Sequence, residues 1–153
     1  MALSKEYRIT VKGKKFKDDM KKLAGLEVAI GFQHGTQNGD VDICDIAAWN
    51  ELGTERGIPS RPFLRNSIER HEDEINQFLG AMAKQLHAGQ NAETLLKGLG
   101  VFHRGLIQEE ITDGEYAPNA ESTIRKKGSD HPLIDTGLMR ESVQFQVRKR
   151  RQK

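Results

Sequence analysis

The amino-acid sequence predicts an α+β fold in which a small, mainly antiparallel sheet packs against a long antiparallel helical hairpin. Two observations point there. Apolar residues recur at helical spacing through two consecutive stretches, 61–87 and 91–112, parted by little more than Ala88-Gly89-Gln90. The segments 6–12, 26–32 and 142–148 instead alternate apolar and polar residues with a period of two, the pattern of half-buried strands.

Taken in order, Tyr7-Arg8-Ile9-Thr10-Val11 alternates as a first strand, and Phe16, Met20 and Leu23 then mark a short helix. After Gly25, the residues Leu26, Val28, Ile30 and Phe32 form a second strand. The polar run QHGTQNGDV at 33–41 is a projecting loop, where Asn38-Gly39 favours positive φ and a tight turn. A helix opens at Asp42 with Ile43, Ile46 and Ala47 on one face, and Gly53 stops it.

The first arm of the hairpin carries Leu64, Ile68, Ile75, Phe78, Leu79, Met82 and Leu86. If continuous it extends about 40 Å at ~1.5 Å per residue. Asn91 caps the second arm, whose stripe is Leu95, Leu99, Phe102, Leu106 and Ile111. Each such side chain contributes roughly 1.5–3 kcal/mol on burial, so the hairpin anchors the core. A polar stretch follows, with a short helix over 120–127. Either Asp135 or Thr136 caps the turn at 138–140, and Ser142 to Val147 alternates as the last strand.

The chain of 153 residues reads as one domain over 1–147 with a basic tail at 148–153. Charged residues make up 30% and aromatics 6%. That aromatic scarcity argues against modules that stack RNA bases on exposed rings. Cys44 is alone, which excludes an internal disulfide and a four-cysteine zinc site. With no signal-peptide core and no long apolar run, the expectation is a soluble protein made in the cytoplasm.

Catalytic motifs do not assemble. His71-Glu72-Asp73-Glu74 lacks the second histidine that a zinc-protease helix needs, since residue 75 is Ile. Ser60 lies in Ile-Pro-Ser-Arg-Pro rather than a glycine-flanked nucleophile elbow. Asp42 and Asp45 flank Cys44 and raise its thiol pKa rather than activate it. The expectation is therefore no enzyme, no metal and no cofactor. Arg56, Arg61, Arg65 and the tail keep nucleic-acid binding open as a rival, although the acidic run from Glu69 to Glu74 shares the first hairpin arm.

Three ordered motifs carry a family resemblance. Ala47-Ala48-Trp49-Asn50-Glu51-Leu52-Gly53-Thr54, then Ile58-Pro59-Ser60-Arg61-Pro62-Phe63-Leu64-Arg65, resembles an "A-x-x-N-E-F-G-T … I-P-x-R-P-F-L" signature. Val28-Ala29-Ile30-Gly31-Phe32 is similar to the same family's "V-x-V-G-F" strand. Ser122 to Asp130, Pro132 to Gly137 and Ser142-Val143 match its C-terminal pattern. Leu52 stands where Phe or Tyr is common. The family is that of tailed-phage virion-morphogenesis proteins, the neck or tail-completion proteins similar to lambda minor tail protein Z.

The resemblance spans about residues 26–147 and implies a structural virion protein, assembled in the host cytoplasm, that completes or stabilises the head–tail junction. It implies self-association into a ring, a hexamer by analogy with neighbouring neck layers. Its partners would be other neck proteins: a head-completion or connector protein and the tail terminator or tail tube. No membrane partner is implied, and no nucleic acid beyond DNA passing through the ring. A tail-tube terminator is the alternative within the virion, and a nucleic-acid-binding accessory protein the alternative outside it.

In this setting GTERGIPSRPF reads as a rigid joint. Gly53 ends one helix, Pro59 stiffens the crossing, Ser60 caps the next helix and Pro62 sits in its first turn. Arg61 reaches a carboxylate such as Glu51, in its own chain or a neighbour's. The structural or subunit-interface candidates are Asn50, Glu51, Gly53, Thr54, Arg61, Pro62, Phe63, Asp135, Thr136 and Gly137.

Overall fold

The structure is a computed structural model and describes residues 9–151. It is α+β, as expected, with seven helices and four strands among the described residues. Helix α1 (Val11–Ala24) leads into strand β1 (Leu26–Gly31), and a minimal hairpin of β2 (Gln37–Asn38) and β3 (Val41–Asp42) follows. Then come α2 (Ile43–Leu52), α3 (Phe63–Glu69), α4 (Glu72–His87) and α5 (Ala92–Asp113). The chain closes with α6 (Glu121–Lys127), α7 (Leu138–Glu141) and β4 (Gln144–Lys149).

Local chemistry accounts for the element ends. Asp42 accepts the Cys44 N–H at 2.9 Å and starts α2, while Asn91 accepts from Glu93 and Thr94 and starts α5. The two-residue turn between β2 and β3 is Gly39-Asp40, with Gly39 at φ 65°, while Asn38 lies in β2 without the positive φ expected of an Asn-Gly turn. Strands β1 and β4 pair antiparallel from Leu26↔Lys149 to Gly31↔Gln144.

Helix α5 is the spine of the molecule. Its Ile107 and Ile111 join Ile43, Ala47, Phe63, Leu133, Met139 and Val143 in the main core. At its other end Ala92 and Leu95 pack with Leu86, Phe16, Leu23 and Met82 in a second cluster. Gly100 lets the β1–β4 ribbon lie close on α5, because a Cβ there would overlap the Phe145 ring. Stacked Phe78 and Phe102, with centroids 4.4 Å apart, seal α4 to α5. No described helix is long and apolar enough to cross a membrane.

Four expectations about the elements need correction here, and others follow with the joint. The strand expected over 6–12 is not formed where it is described: Val11 and Lys12 belong to α1, and Thr10 is its N-cap, accepting the Gly13 N–H at 3.0 Å. Residues 6–8 lie outside the described residues. Among the described residues the β1–β4 sheet therefore has two strands rather than three. Its closing strand starts at Gln144, since Ser142 ends α7.

Second, the first hairpin arm is not continuous; it divides into α3 and α4 at Arg70-His71. The bend is held from outside. Arg70 Nη1 lies 3.4 Å and His71 Nε2 3.5 Å from the carboxylate of Glu110, which is only 5% exposed. Tyr116 donates its hydroxyl proton to the same carboxylate at 2.5 Å. Burial, and then this bond, push the Tyr116 phenol above its ordinary range. Third, Ile68 and Leu79 of the expected stripe are exposed rather than buried. Fourth, Ser60 does not cap α3, for reasons that lie in the joint itself.

Candidate functional site

The joint begins where α2 ends. Gly53 adopts φ 75° and ψ 174° and sends its N–H to the Trp49 carbonyl. Few side chains tolerate that backbone, and a Cβ would sit 2.9 Å from Ser60 N and 3.1 Å from Ile58 O. Thr54 then closes a small loop on Ile58, through N–H to Ile58 O at 2.9 Å and by accepting the Ile58 N–H on Oγ1 at 3.2 Å. The chain is folded back so that residue 60 lies against residue 51.

Glu51 caps α3 across this crossing. Its carboxylate accepts Leu64 N–H at 2.8 Å and Arg65 N–H at 3.1 Å. Two otherwise orphaned donors are satisfied, with negative charge at the positive end of the helix. Ser60 instead donates its hydroxyl to the Glu51 carbonyl at 2.8 Å. Pro62 occupies the N-cap position itself, one residue before the expected first turn, and makes no side-chain cap. Phe63 is fully buried and meets Phe32 edge to face at 6.0 Å.

The expected Arg61–Glu51 pair does not form, because Glu51 is committed to α3. Arg61 is 5% exposed. Its backbone N–H goes to Asn50 O at 2.6 Å. The guanidinium donates from Nε to Ala117 O at 2.9 Å, from Nη1 to Asn50 Oδ1 at 2.9 Å, and from Nη2 to Pro118 O and Asn119 Oδ1, both at 3.2 Å. Arg61 thus staples the end of α2 to the 117–119 segment, which has no other regular structure to hold it. Burial lowers its pKa, yet a guanidinium keeps its charge in proteins.

Asn119 extends the staple, donating Nδ2 to the carbonyls of His131 at 3.1 Å and Asp130 at 3.4 Å. Asp135 and Thr136 line a cavity of about 150 Å3 that also touches Asn50 and Lys127. Thr136 Oγ1 accepts the Leu138 N–H at 3.3 Å, and Gly137 takes φ 83° to turn the chain into α7. Of the two residues expected to cap this turn, Thr136 does so. A second cavity, about 250 Å3, is lined by Arg61, Asn50, Asn119, Thr123 and Lys127, with Ile58 at its edge.

Sequence reasoning missed Asn119, Lys127 and Glu110. Arg61 and Asn119 are 58 positions apart, and no spacing rule links them. It also missed a surface trio at the start of α2. His34, Asp42 and Cys44 each bring one ligand-type atom within 4.8 Å of the others. Both Asp42 oxygens already accept backbone N–H groups, from Gly35 at 2.8 Å and Cys44 at 2.9 Å. These bonds, Gly35's first, lower the Asp42 pKa. The Cys44 thiol is raised, as the flanking carboxylates suggest, but burial is the larger cause.

Among the described residues one serine and histidine side chain meet. Ser67 Oγ lies 3.2 Å from His103 Nε2 but donates its proton to Leu64 O at 2.7 Å. The ring therefore donates Nε2–H to the hydroxyl, which fixes the tautomer. Ser67 is fully buried, so no substrate reaches it, and the pair ties α3 to α5.

No protein-family model matches this chain, and searches of curated proteins and of solved structures return no match.

Proposed function

We propose that this chain is a structural subunit of a tailed-phage or prophage virion, part of the neck, which completes or stabilises the head–tail junction by assembling into a ring. One observation carries the reading. The residues behind the family resemblance, Asn50, Glu51, Gly53, Arg61, Pro62 and Phe63, form one braced joint whose polar groups are spent on the chain's own backbone and amides. Beside it Trp49, Leu52 and Ile58 stand exposed, Leu52 to 73%. A stiff crossing that presents apolar side chains suits contact between subunits.

The ring, six copies by analogy with other neck layers, takes connector and tail-tube proteins as neighbours. Electron microscopy of the purified protein is expected to show closed rings, and particles lacking it should accumulate unjoined heads and tails. Leu52→Glu should abolish rings while leaving monomer stability intact. Heads and tails that join normally without the protein would overturn the proposal. Overlong tail tubes in its absence would favour the terminator alternative.

A second reading has its own support. Lys21, Lys22 and Lys149 rim a cleft of about 550 Å3 beside the start of α5, a surface fit for phosphate backbones. Salt-sensitive DNA binding that disappears when Lys21, Lys22 and Lys149 are replaced by Gln would favour it.

A further inference from the structure

We propose that the cleft between the 57–61 loop and α6 is an oxyanion site, in which Lys127 holds a carboxylate- or phosphate-bearing ligand beside the charge of Arg61. The inference rests on charge and space. Arg61 is buried, and each of its four guanidinium bonds ends on a neutral oxygen, two backbone carbonyls and two amide side chains. Lys127, half-buried on α6, donates once, to the His131 carbonyl at 3.3 Å, leaving two ammonium protons. Among the described residues neither cation is in a salt bridge.

Both cations line the 250 Å3 cavity. It adjoins the 150 Å3 cavity through Asn50, Lys127 and Pro132. Burial lowers the Lys127 pKa first; Asp135 works against the shift and Arg61 adds to it. Two like charges therefore share a partly desolvated space in which Asp135 is the acid that acts on Lys127. Buried cations normally have a full counter-charge, because carbonyl dipoles only partly repay lost hydration. Thr123, one turn before Lys127 on the same face, adds a hydroxyl to the lining. A carboxylate or phosphate fits the volume and supplies the missing charge, and charge-assisted bonds to Lys are strong. This site stands independently of the ring reading.

The test is thermal unfolding of the full chain with sodium acetate or sodium phosphate exchanged for chloride at constant ionic strength. The expected result is a saturable rise in Tm, with amide NMR shifts confined to residues 57–61 and 119–127. Lys127→Gln leaves the Arg61 staple in place and should weaken the affinity roughly tenfold or more. Thr123→Val, a milder change, should weaken it less and serves if the first variant folds poorly. Whichever probe saturates at lower concentration names the ligand class. A Tm that follows chloride with both probes, or a rise that is the same in wild type and both variants, would overturn the site.

Discussion

Replacing Arg61 by Met keeps an apolar stem of similar length and removes the guanidinium and its four hydrogen bonds. The cost follows from what each acceptor meets afterwards. Ala117 and Pro118 are exposed, so their carbonyls recover water and lose roughly 0.5–1 kcal/mol each. Asn119 is 9% exposed and its Oδ1 is stranded, at about 1–3 kcal/mol. Asn50 faces a cavity that water can enter, so its Oδ1 loses about 1 kcal/mol. Relief from burying an unpaired charge returns part of this, leaving a net loss of about 3 kcal/mol. At ~2–4 °C per kcal/mol for a chain of this size, Tm falls by roughly 6–12 °C. Urea unfolding should show a lower midpoint at unchanged m-value. Arg61→Lys, with three donors and no planar fork, should fall between. A Met variant within about 0.5 kcal/mol of wild type would refute the staple.

Three further expectations follow from the same region. Gly53→Ala should cost about 2–4 kcal/mol, because its backbone conformation is strained for Ala and the new Cβ strikes main chain on two sides; a melt unchanged from wild type would refute this. Glu51→Ala removes the cap of α3 and should cost about 1–2 kcal/mol, with faster amide exchange at Leu64 and Arg65. If those amides stay protected, the cap is not what orders them. His103 has its pKa lowered, first by burial and then by the charge of His71. Its neutral form thus contributes stability that is complete above the unfolded value of about 6.5 and is lost as pH falls through the lowered folded pKa. The urea midpoint should drop between about pH 7.5 and about pH 5.5, and less so in His103→Gln; equal drops would place the effect elsewhere.

What the sequence disclosed was mostly local. Asp42, Gly53 and Asn91 act within a turn of their own position, and each sits where its capping chemistry requires. The α5 stripe was legible because one face of that helix is buried along much of its length, with Leu95, Leu106 and Ile111 all inside. The α3–α4 bend was hidden because Ile68 and Ile75 keep helical spacing across it, while its cause, Glu110, lies forty positions from Arg70. Thr10 alternates with its neighbours as a strand residue would, yet its hydroxyl served better as a cap. The arginine was visible as part of a joint, but its partners were not. Glu51 looked like the natural mate and was already taken by two backbone amides.

The β1–β4 ribbon joins distant segments, with Glu27 and Arg148 paired across 121 positions, and Arg150 N–H adds a last bond to Gly25 O. During synthesis β1 emerges long before β4, its strand partner among the described residues. At roughly 5–20 residues per second the wait is on the order of ten seconds, and through it β1 can pack on helices such as α1 and α5 but has no strand partner among the described residues. A chain cut within β4 would leave β1 with an unpaired edge rather than a merely shortened tail.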